Sequence, residues 1–520
     1  MTPARWLLDH ATRTPSAPFL GTPDGWLTYG ETWSRVERVR GFFSSLGVTA
    51  GTRVLLALPS VPGTVIAWAA VQSLGATTVE VDREWSDAAL REVITQSKPV
   101  LALISGRDAR KWTSLDVARC AVVHPSAPPA AMQGVLGAKY AGWVSEDGVV
   151  DAAPSTLELA SADVAQIVFT SGSTSTPRGV LQTSKMLEAS TNGIVEYLHL
   201  TSADRAMLVL PLFYVYGKSV LLSHLRVGGS VFLDHRFMYP RVVMEALAAE
   251  RCTNFSGVPL TFESLKRQSA LTGLDLSSLR FVTQAGGAMQ GTTIDWARET
   301  FAPAHLFVMY GQTEATSRLS FLPPDLATKK RGSIGRGMPG VTLAVVDDAG
   351  APVAAGVEGH LVAKGDVVMP GYLDAPDETA KVLKDGWLWT GDLATRDADG
   401  FVFITGRSKV ALKLGGHRVA PAELERAIVE RAGVREAVVV GAPDPLEGEV
   451  AIAFVVVDDA SLDVSMVLKH CRAVLPPARV PRRVVFVPDF PRNSTGKVLL
   501  GELQKRAAAL HAIPAEGGVT

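Results

Sequence analysis

The chain has 520 residues, 47% of them apolar and 20% charged, and a formal net charge of −1. That length exceeds what one hydrophobic core organises and predicts two or more domains. The near-zero charge removes any electrostatic case for nucleic acid or an anionic membrane surface. Cys120, Cys252 and Cys471 lie far apart, form no metal-ligand spacing, and predict buried thiols in a reducing, cytoplasmic setting.

The first ten residues carry an acid and a histidine where a signal peptide needs an unbroken apolar core. A helix is predicted over residues 31–46, stopped by Gly47 as a left-handed cap. The uncharged run 54–78 is broken by Pro59, Ser60, Pro62 and Gly63, so it reads as a buried strand and a core helix, not as a membrane span. Further short apolar strands follow near residues 77, 100, 121, 206, 230 and 281, alternating with helices. That rhythm predicts layered α/β structure with parallel sheets. From about residue 330 to 406 the sequence turns dense in Gly, Asp and short β-rich runs, predicting a small, mostly antiparallel, barrel-like subdomain. The last hundred or so residues have their own β–α rhythm, enough for a small independent domain.

Five polar clusters interrupt this apolar framework. The first is Thr170-Ser-Gly-Ser-Thr-Ser-Thr-Pro-Arg-Gly179, which follows an apolar run. Gly172 and Gly179 let backbone N–H groups approach an anion, and Thr170, Ser171, Ser173, Thr174 and Thr176 can donate to phosphate oxygens. Arg178 adds a planar, charged fork. It is not a Walker A loop, because Pro177-Arg178-Gly179 stands where Gly-Lys-Ser/Thr is required; an ordinary hydroxyl-rich surface loop fits equally well. The second cluster, Met309-Tyr-Gly-Gln-Thr-Glu-Ala-Thr316, offers Glu314 to a hard cation such as Mg²⁺, or else a helix start capped by Thr313. The third, Asp385-Gly-Trp-Leu-Trp-Thr-Gly-Asp392, ends in a carboxylate that suits ribose hydroxyls or a simple turn. The fourth is the basic, Gly-punctuated stretch from Gly406 to Glu423, and the fifth is Pro491-Arg-Asn-Ser-Thr-Gly-Lys497.

Together and in this order, from Thr170 to Lys497, the clusters resemble the acyl-adenylate-forming superfamily of acyl-CoA synthetases, stand-alone adenylation enzymes and firefly luciferase. The resemblance extends to essentially the whole chain and is nearest to an AMP-forming acyl-CoA ligase. It implies a large N-terminal domain over residues 1–406, including the β-rich subdomain, a hinge at 407–410, and a small mobile α+β domain over 411–520. In such enzymes a carboxylate attacks the α-phosphate of ATP, pyrophosphate leaves, and a thiol displaces AMP. By motif position the loop 170–179 resembles the cover over the β- and γ-phosphates, Glu314 the Mg²⁺ ligand, and Thr313 its neighbour at the α-phosphate. Gly286, Gly287, Ala288 and Tyr310 match the segments flanking adenine, Asp392 the ribose acceptor, and Arg407 a further nucleotide contact. Lys497 matches the lysine that bridges carboxylate and α-phosphate, and Lys409 the hinge. Lys413 and the Gly415-Gly416-His417 turn match the face used in thioester formation, with the glycines beside the coenzyme A tunnel.

The resemblance places the acid pocket at Phe213, Tyr214, Tyr216 and Gly217, at Val258 and Phe262, and at Met309. Core packing is the alternative for some of the aromatic residues. No Asp stands in 211–217 to pair with an α-amine, which implies an organic acid without one, aromatic or aliphatic. Arg178 stands where lysine is usual, Ser175 where glycine is common, and Tyr214 where a histidine often sits. The implied partners are ATP, Mg²⁺, a small carboxylic acid, and coenzyme A or a phosphopantetheine carrier, in a monomer or homodimer. An adenylate-forming enzyme that hands its product to a separate acceptor, and a nucleotide-binding protein without ligase activity, are the other readings.

Overall fold

A computed structural model describes residues 2–125, 130–170, 177–268, 271–407, 412–414, 417–444, 448–493 and 496–512. Two compact units divide the chain. The first comprises residues 1–343 and 363–388, the second 344–362 and 389–520.

The first unit is built on two sheets. In one, among the described residues, seven strands run in the order Tyr140–Ser145, Cys120–His124, Leu101–Ser105, Arg53–Ala57, Thr77–Glu80, Val164–Thr170, Arg178–Thr183. All neighbours are parallel except the last pair, an antiparallel hairpin in which Thr170 faces Arg178. The second sheet centres on the parallel strands Ser230–Leu233, Arg205–Leu208, Asn254–Gly257, Phe281–Gln284 and His305–Tyr310. Pro18–Thr22 adds in parallel to Ser230–Leu233, and Ser320–Leu322 closes the other side antiparallel to His305–Tyr310.

Strand periodicity of two sorts side chains into three cores. From Arg53–Ala57, Val54 and Leu56 join the central core, whereas Leu55 and Ala57 join an outer one with Leu90, Val93 and Ile94. Likewise Ala206 and Leu208 point centrally, and Met207 packs outward with Phe232, Phe255 and Val282. The central core also takes residues of the helices Tyr29–Ser45, Pro62–Ser73, Ser184–Leu198 and Val215–Val227, so helices fill the space between the sheets and cover both outer faces. Pro62–Ser73 is buried along its whole length. Its 12 residues span only about 18 Å, and no described helix is long and apolar enough to cross a membrane. The sequence-predicted helix after Trp26 starts at Tyr29, where Thr28 and Glu31 form a reciprocal capping box. All three cysteines are buried and free.

In the second unit the long strands Val434–Asp444 and Gly448–Val457 pair antiparallel, and Arg483–Phe486 adds parallel. Helices Pro421–Val429 and Val464–Val474 contribute to the core on one face, and Leu500–Ala512 to that on the other. The chain is thus mixed α/β, with a large N-terminal part and a small α+β C-terminal part. Between the two long folds, residues 342–407 are β-rich as their texture predicts.

Candidate active site

In the first unit the hairpin Val164–Thr170/Arg178–Thr183 carries the hydroxyl-rich loop at its tip. Ser171, Gly172, Ser173, Thr174, Ser175 and Thr176 lie outside the described residues; Thr170, Arg178 and Gly179 are described and stand at the loop's two feet. Residues 371–373 run along the open edge of this hairpin. Leu181 N–H donates to the Gly371 carbonyl (3.1 Å) and Leu373 N–H to the Gly179 carbonyl (2.7 Å). This edge pairing delivers Tyr372 to the loop's base. Its hydroxyl donates to Glu314 Oε1 at 2.9 Å, and the Arg178 guanidinium lies 5.7 Å from its ring centroid. Arg178 also pairs with Glu378 at 2.7 Å. Burial and the Glu314 charge push the Tyr372 phenol well above its usual range, so it remains a donor.

The turn bearing Thr313 and Glu314 is shaped from beneath. Gln182, fully buried on the hairpin, donates from Nε2 to the Thr313 carbonyl (2.9 Å) and the Thr316 carbonyl (3.3 Å). Its own oxygen accepts from Gln166 at 2.7 Å. Thr313–Ala315 is a single 3₁₀ turn and not a helix start capped by Thr313. Thr316 follows at φ +66°, ψ −60°, with Ser317 N–H on the Ala315 carbonyl at 2.7 Å. This positive-φ γ-turn costs about 1–3 kcal/mol for a β-branched residue. The Thr316 hydroxyl offsets part of it by donating to the Val367 carbonyl at 2.9 Å. Gly311 is required by close approach: a Cβ there would lie 1.9 Å from the Ser317 carbonyl oxygen.

Beside this turn, Gly286 takes φ +87°, and a Cβ on it would lie 2.8 Å from the Tyr214 hydroxyl and 3.1 Å from Val258. Gly287 and Ala288 are exposed, and the Gly287 carbonyl is held by Gln284 at 2.7 Å. Phe213, Tyr214 and Tyr310 are half-buried. Gly217 sits close under the Pro211 carbonyl in the helix start. Tyr216 is buried, its hydroxyl within 2.9 Å of the Thr283 carbonyl and 2.8 Å of the Thr283 hydroxyl. Tyr216 and buried Met309 converge on Arg318, itself 2% exposed, which stacks 4.7 Å from the Tyr216 ring and donates to Met309 Sδ and to Tyr197. Phe262 does not join this group. Helix Pro259–Arg267 turns it with Leu265 into the outer core, its ring 6.3 Å from those of Phe255 and Phe301, so it is a packing residue there and not a pocket wall.

The second unit holds the remaining described candidates. Asp392 and Arg407 face one another across paired strands, with Arg407 Nε 3.0 Å from Asp392 Oδ1. Asp392 is buried and the arginine largely exposed, so the ion pair fixes the carboxylate while much of the guanidinium faces solvent. Lys497 is exposed on the loop before the last helix. Lys409, Gly415 and Gly416 lie outside the described residues, as do the side chains of Lys413 and His417.

Sequence reading missed Tyr372, Gln182 and Arg318. The Met-Pro-Gly-Tyr stretch ending at Tyr372 and a glutamine inside an apolar strand were available signals; for Arg318 there was none. Among the described residues no group of three or more His, Cys, Asp or Glu side chains could hold a metal ion. Glu314 fits Mg²⁺ in the manner that ion prefers, one carboxylate with phosphate oxygens and water completing its shell.

The profile of a family described as AMP-binding enzyme matches residues 7–373, and that of the AMP-binding enzyme C-terminal domain matches 423–497. A feruloyl-CoA synthase of Amycolatopsis is 31% identical, over 96% of this chain and 98% of its own. An indoleacetate–CoA ligase of Aromatoleum aromaticum is 28% identical over 97% and 98%. The structure of the amide bond synthetase McbA from Marinactinospora thermotolerans superposes with a TM-score of 0.85 at 25% identity, covering 97% of this chain and 99% of that one.

Proposed function

This chain belongs to the AMP-binding enzyme family and is an adenylate-forming acid–thiol ligase, and from that premise we propose how its residues divide the work and which acids it takes. The acid is hydrophobic or aromatic and lacks an α-amino group. The half-buried Phe213 and Tyr214 with Val258 supply an apolar wall, and no carboxylate in 211–217 is available to pair an ammonium. The feruloyl and indoleacetate ligases among its relatives act on aryl acids, which favours the aryl class.

In the first half-reaction a carboxylate oxygen of the acid forms a bond to the α-phosphorus of ATP while the bond to the bridging oxygen breaks and pyrophosphate leaves. The demand on the protein is placement and charge, not covalent chemistry. Thr170, Arg178 and the hydroxyls at 171, 173, 174 and 176 serve the β- and γ-phosphates. Thr313 serves the α-phosphate, and Glu314, oriented by Tyr372, is the carboxylate that would hold Mg²⁺. When bound, that ion neutralises phosphate charge. Gly286, Gly287, Ala288 and Tyr310 border the adenine; Asp392 and Arg407 serve the ribose and its neighbourhood; Lys497 bridges the acid and the α-phosphate. In the second half-reaction the thiol sulfur bonds to the acyl carbon, AMP leaves, and the thiol proton is released. Lys413 and the turn at 415–417 serve that step, after motion about a hinge at Lys409 that separates residues 1–406 from 411–520.

The observation that carries this reading is the convergence of Arg178, Tyr372 and Glu314 at the foot of the hydroxyl-rich loop. ATP–pyrophosphate exchange over a panel of aryl and aliphatic acids tests it, followed by thioester formation with coenzyme A and with a phosphopantetheinylated carrier. Exchange that depends on aryl acids, and acylation of coenzyme A, is the expected result. Exchange without coenzyme A acylation points to transfer onto a carrier or another acceptor, the reading that the amide bond synthetase keeps in view. No acid-dependent exchange overturns the proposal.

A further inference from the structure

Lys497 is exposed, yet the loop carrying it is tightly specified. Lys497 N–H donates to Asn493 Oδ1 at 2.9 Å, Asn493 N–H donates to the Lys497 carbonyl at 2.9 Å, and Gly496 N–H donates to the Asn493 carbonyl at 2.9 Å. Gly496 takes φ +80°, which a side chain would resist. These bonds shape the turn but do not attach it to anything. Arg492 ties this turn to the sheet. Its Nη1 donates to the Gly496 carbonyl at 3.1 Å, and its Nη2 donates to both Glu436 oxygens at 2.7 Å. Glu436 is held in the long strand Val434–Asp444, opposite Val456. The Arg492 side chain is 17% exposed, lies 5.8 Å from the Phe490 ring centroid, and has Asp489 at 3.8 Å.

The carbonyl that Arg492 grips belongs to the peptide unit whose nitrogen is that of Lys497. One guanidinium therefore fixes the peptide plane from which Lys497 springs and ties it to the sheet. A charge-assisted bond of this kind, partly withdrawn from water, is stronger than a neutral one. Without it the loop would lose backbone freedom anew each time the lysine reached its target, an entropic cost that a prearranged loop has already met. The sheet does not need the pair, since its strands are joined by their own ladder.

We propose that Arg492 and Glu436 are positioning residues for Lys497, a clamp that holds the lysine loop ready for adenylation and is idle in thioester formation. This rests on the role given to Lys497 above. The test uses the full-length protein as Arg492→Ala, Arg492→Lys and Glu436→Gln. Acid-dependent ATP–pyrophosphate exchange, thioester formation from supplied acyl-adenylate, and amide hydrogen exchange over residues 490–498 are measured on each.

Arg492→Ala should lower the turnover of exchange roughly 10- to 100-fold, as small misplacements of reacting groups do. KM for ATP and acid should stay within about twofold, thioester formation should be unchanged, and the Lys497 amide should lose protection. Glu436→Gln should act in the same direction but less, and Arg492→Lys, which keeps charge without the fork, should recover part of the loss. Equal losses in both half-reactions, or unchanged turnover with unprotected loop amides, would overturn the clamp. If the wild-type protein shows no acid-dependent exchange, the role of Lys497 fails instead. Hydrogen exchange alone then decides: protection unchanged in Arg492→Ala refutes the clamp, and protection lost upholds its hold on the loop.

Discussion

Lys218 and Glu80 meet at 2.9 Å with both side chains only 4% exposed, and the ammonium lies 4.7 Å from the Trp68 ring centroid. Burial raises the Glu80 carboxyl and lowers the Lys218 ammonium; in each case desolvation outweighs the help of the partner. Such a pair is costly to break and cheap to replace. Lys218→Met should cost about 3–5 kcal/mol by leaving a buried carboxylate alone, and Glu80→Met with Lys218→Met should recover most of it, both read from urea unfolding. At Arg178 the chemistry is different, because the proposed role in phosphate binding calls for the charge itself. Arg178→Met should reduce kcat/KM for ATP roughly 10- to 100-fold, whereas Arg178→Lys, which keeps the charge, should lose less than about tenfold. Arg178 and Glu314 were legible in sequence because their neighbours form ordered motifs. Tyr372 was missed: the Met-Pro-Gly-Tyr stretch was a signal, but only the edge pairing with Gly179 and Leu181 shows that its side chain stands against Glu314.

Elements divide in the same way. Strands such as Arg53–Ala57 and Ser230–Leu233 could be read from short apolar runs, and helix Tyr29–Ser45 in large part from the stop at Gly47, its capping box at Thr28 and Glu31 emerging only in the structure. The 3₁₀ turn at Thr313–Ala315 could not, because its shape comes from Gln182 on a distant hairpin and from the strained Thr316. In the small unit, helix Pro421–Val429 turns Glu425 inward, where its Oε1 accepts from Val439 N–H at 2.9 Å. Burial, with the nearby Glu436 charge adding to it, pushes this carboxyl up from 4.5 to about 7. The folded state then holds a proton that the unfolded state has lost between those two values. Stability therefore falls as pH rises through this window and levels off above about pH 7, a change of about 3 kcal/mol. Amide hydrogen exchange in strand Val434–Asp444 of the full chain, compared between pH 5 and 8 after correction for intrinsic rates, should show this loss of protection. Glu425→Gln, which keeps the acceptor and cannot ionise, should flatten it.

At the scale of the molecule, the α/β layering follows from the alternation of short apolar strands and helices, but the strand order does not. Pro18–Thr22 joins Ser230–Leu233, and residues 363–388 return to the first unit after an excursion into the second, pairings decided by tertiary burial and not by local pattern. The change of texture near residue 330 marks where β-rich structure begins without showing how packing divides it. The proposed alternation between two half-reactions belongs to this scale, because it asks one small domain to present Lys497 for one step and the opposite face for the other. Two substitutions in that domain and at its hinge should therefore have opposite signatures. Lys497→Ala should depress acid-dependent ATP–pyrophosphate exchange roughly 100-fold or more by removing a cation from the developing charge, while thioester formation from supplied adenylate stays within about threefold. Lys409→Pro fixes φ at the hinge and should do the reverse, sparing exchange and blocking the thioester step. Both half-reactions lost together in both variants, with circular dichroism and melting temperature intact, would mean that one fixed arrangement serves both steps and that no hinge motion is needed.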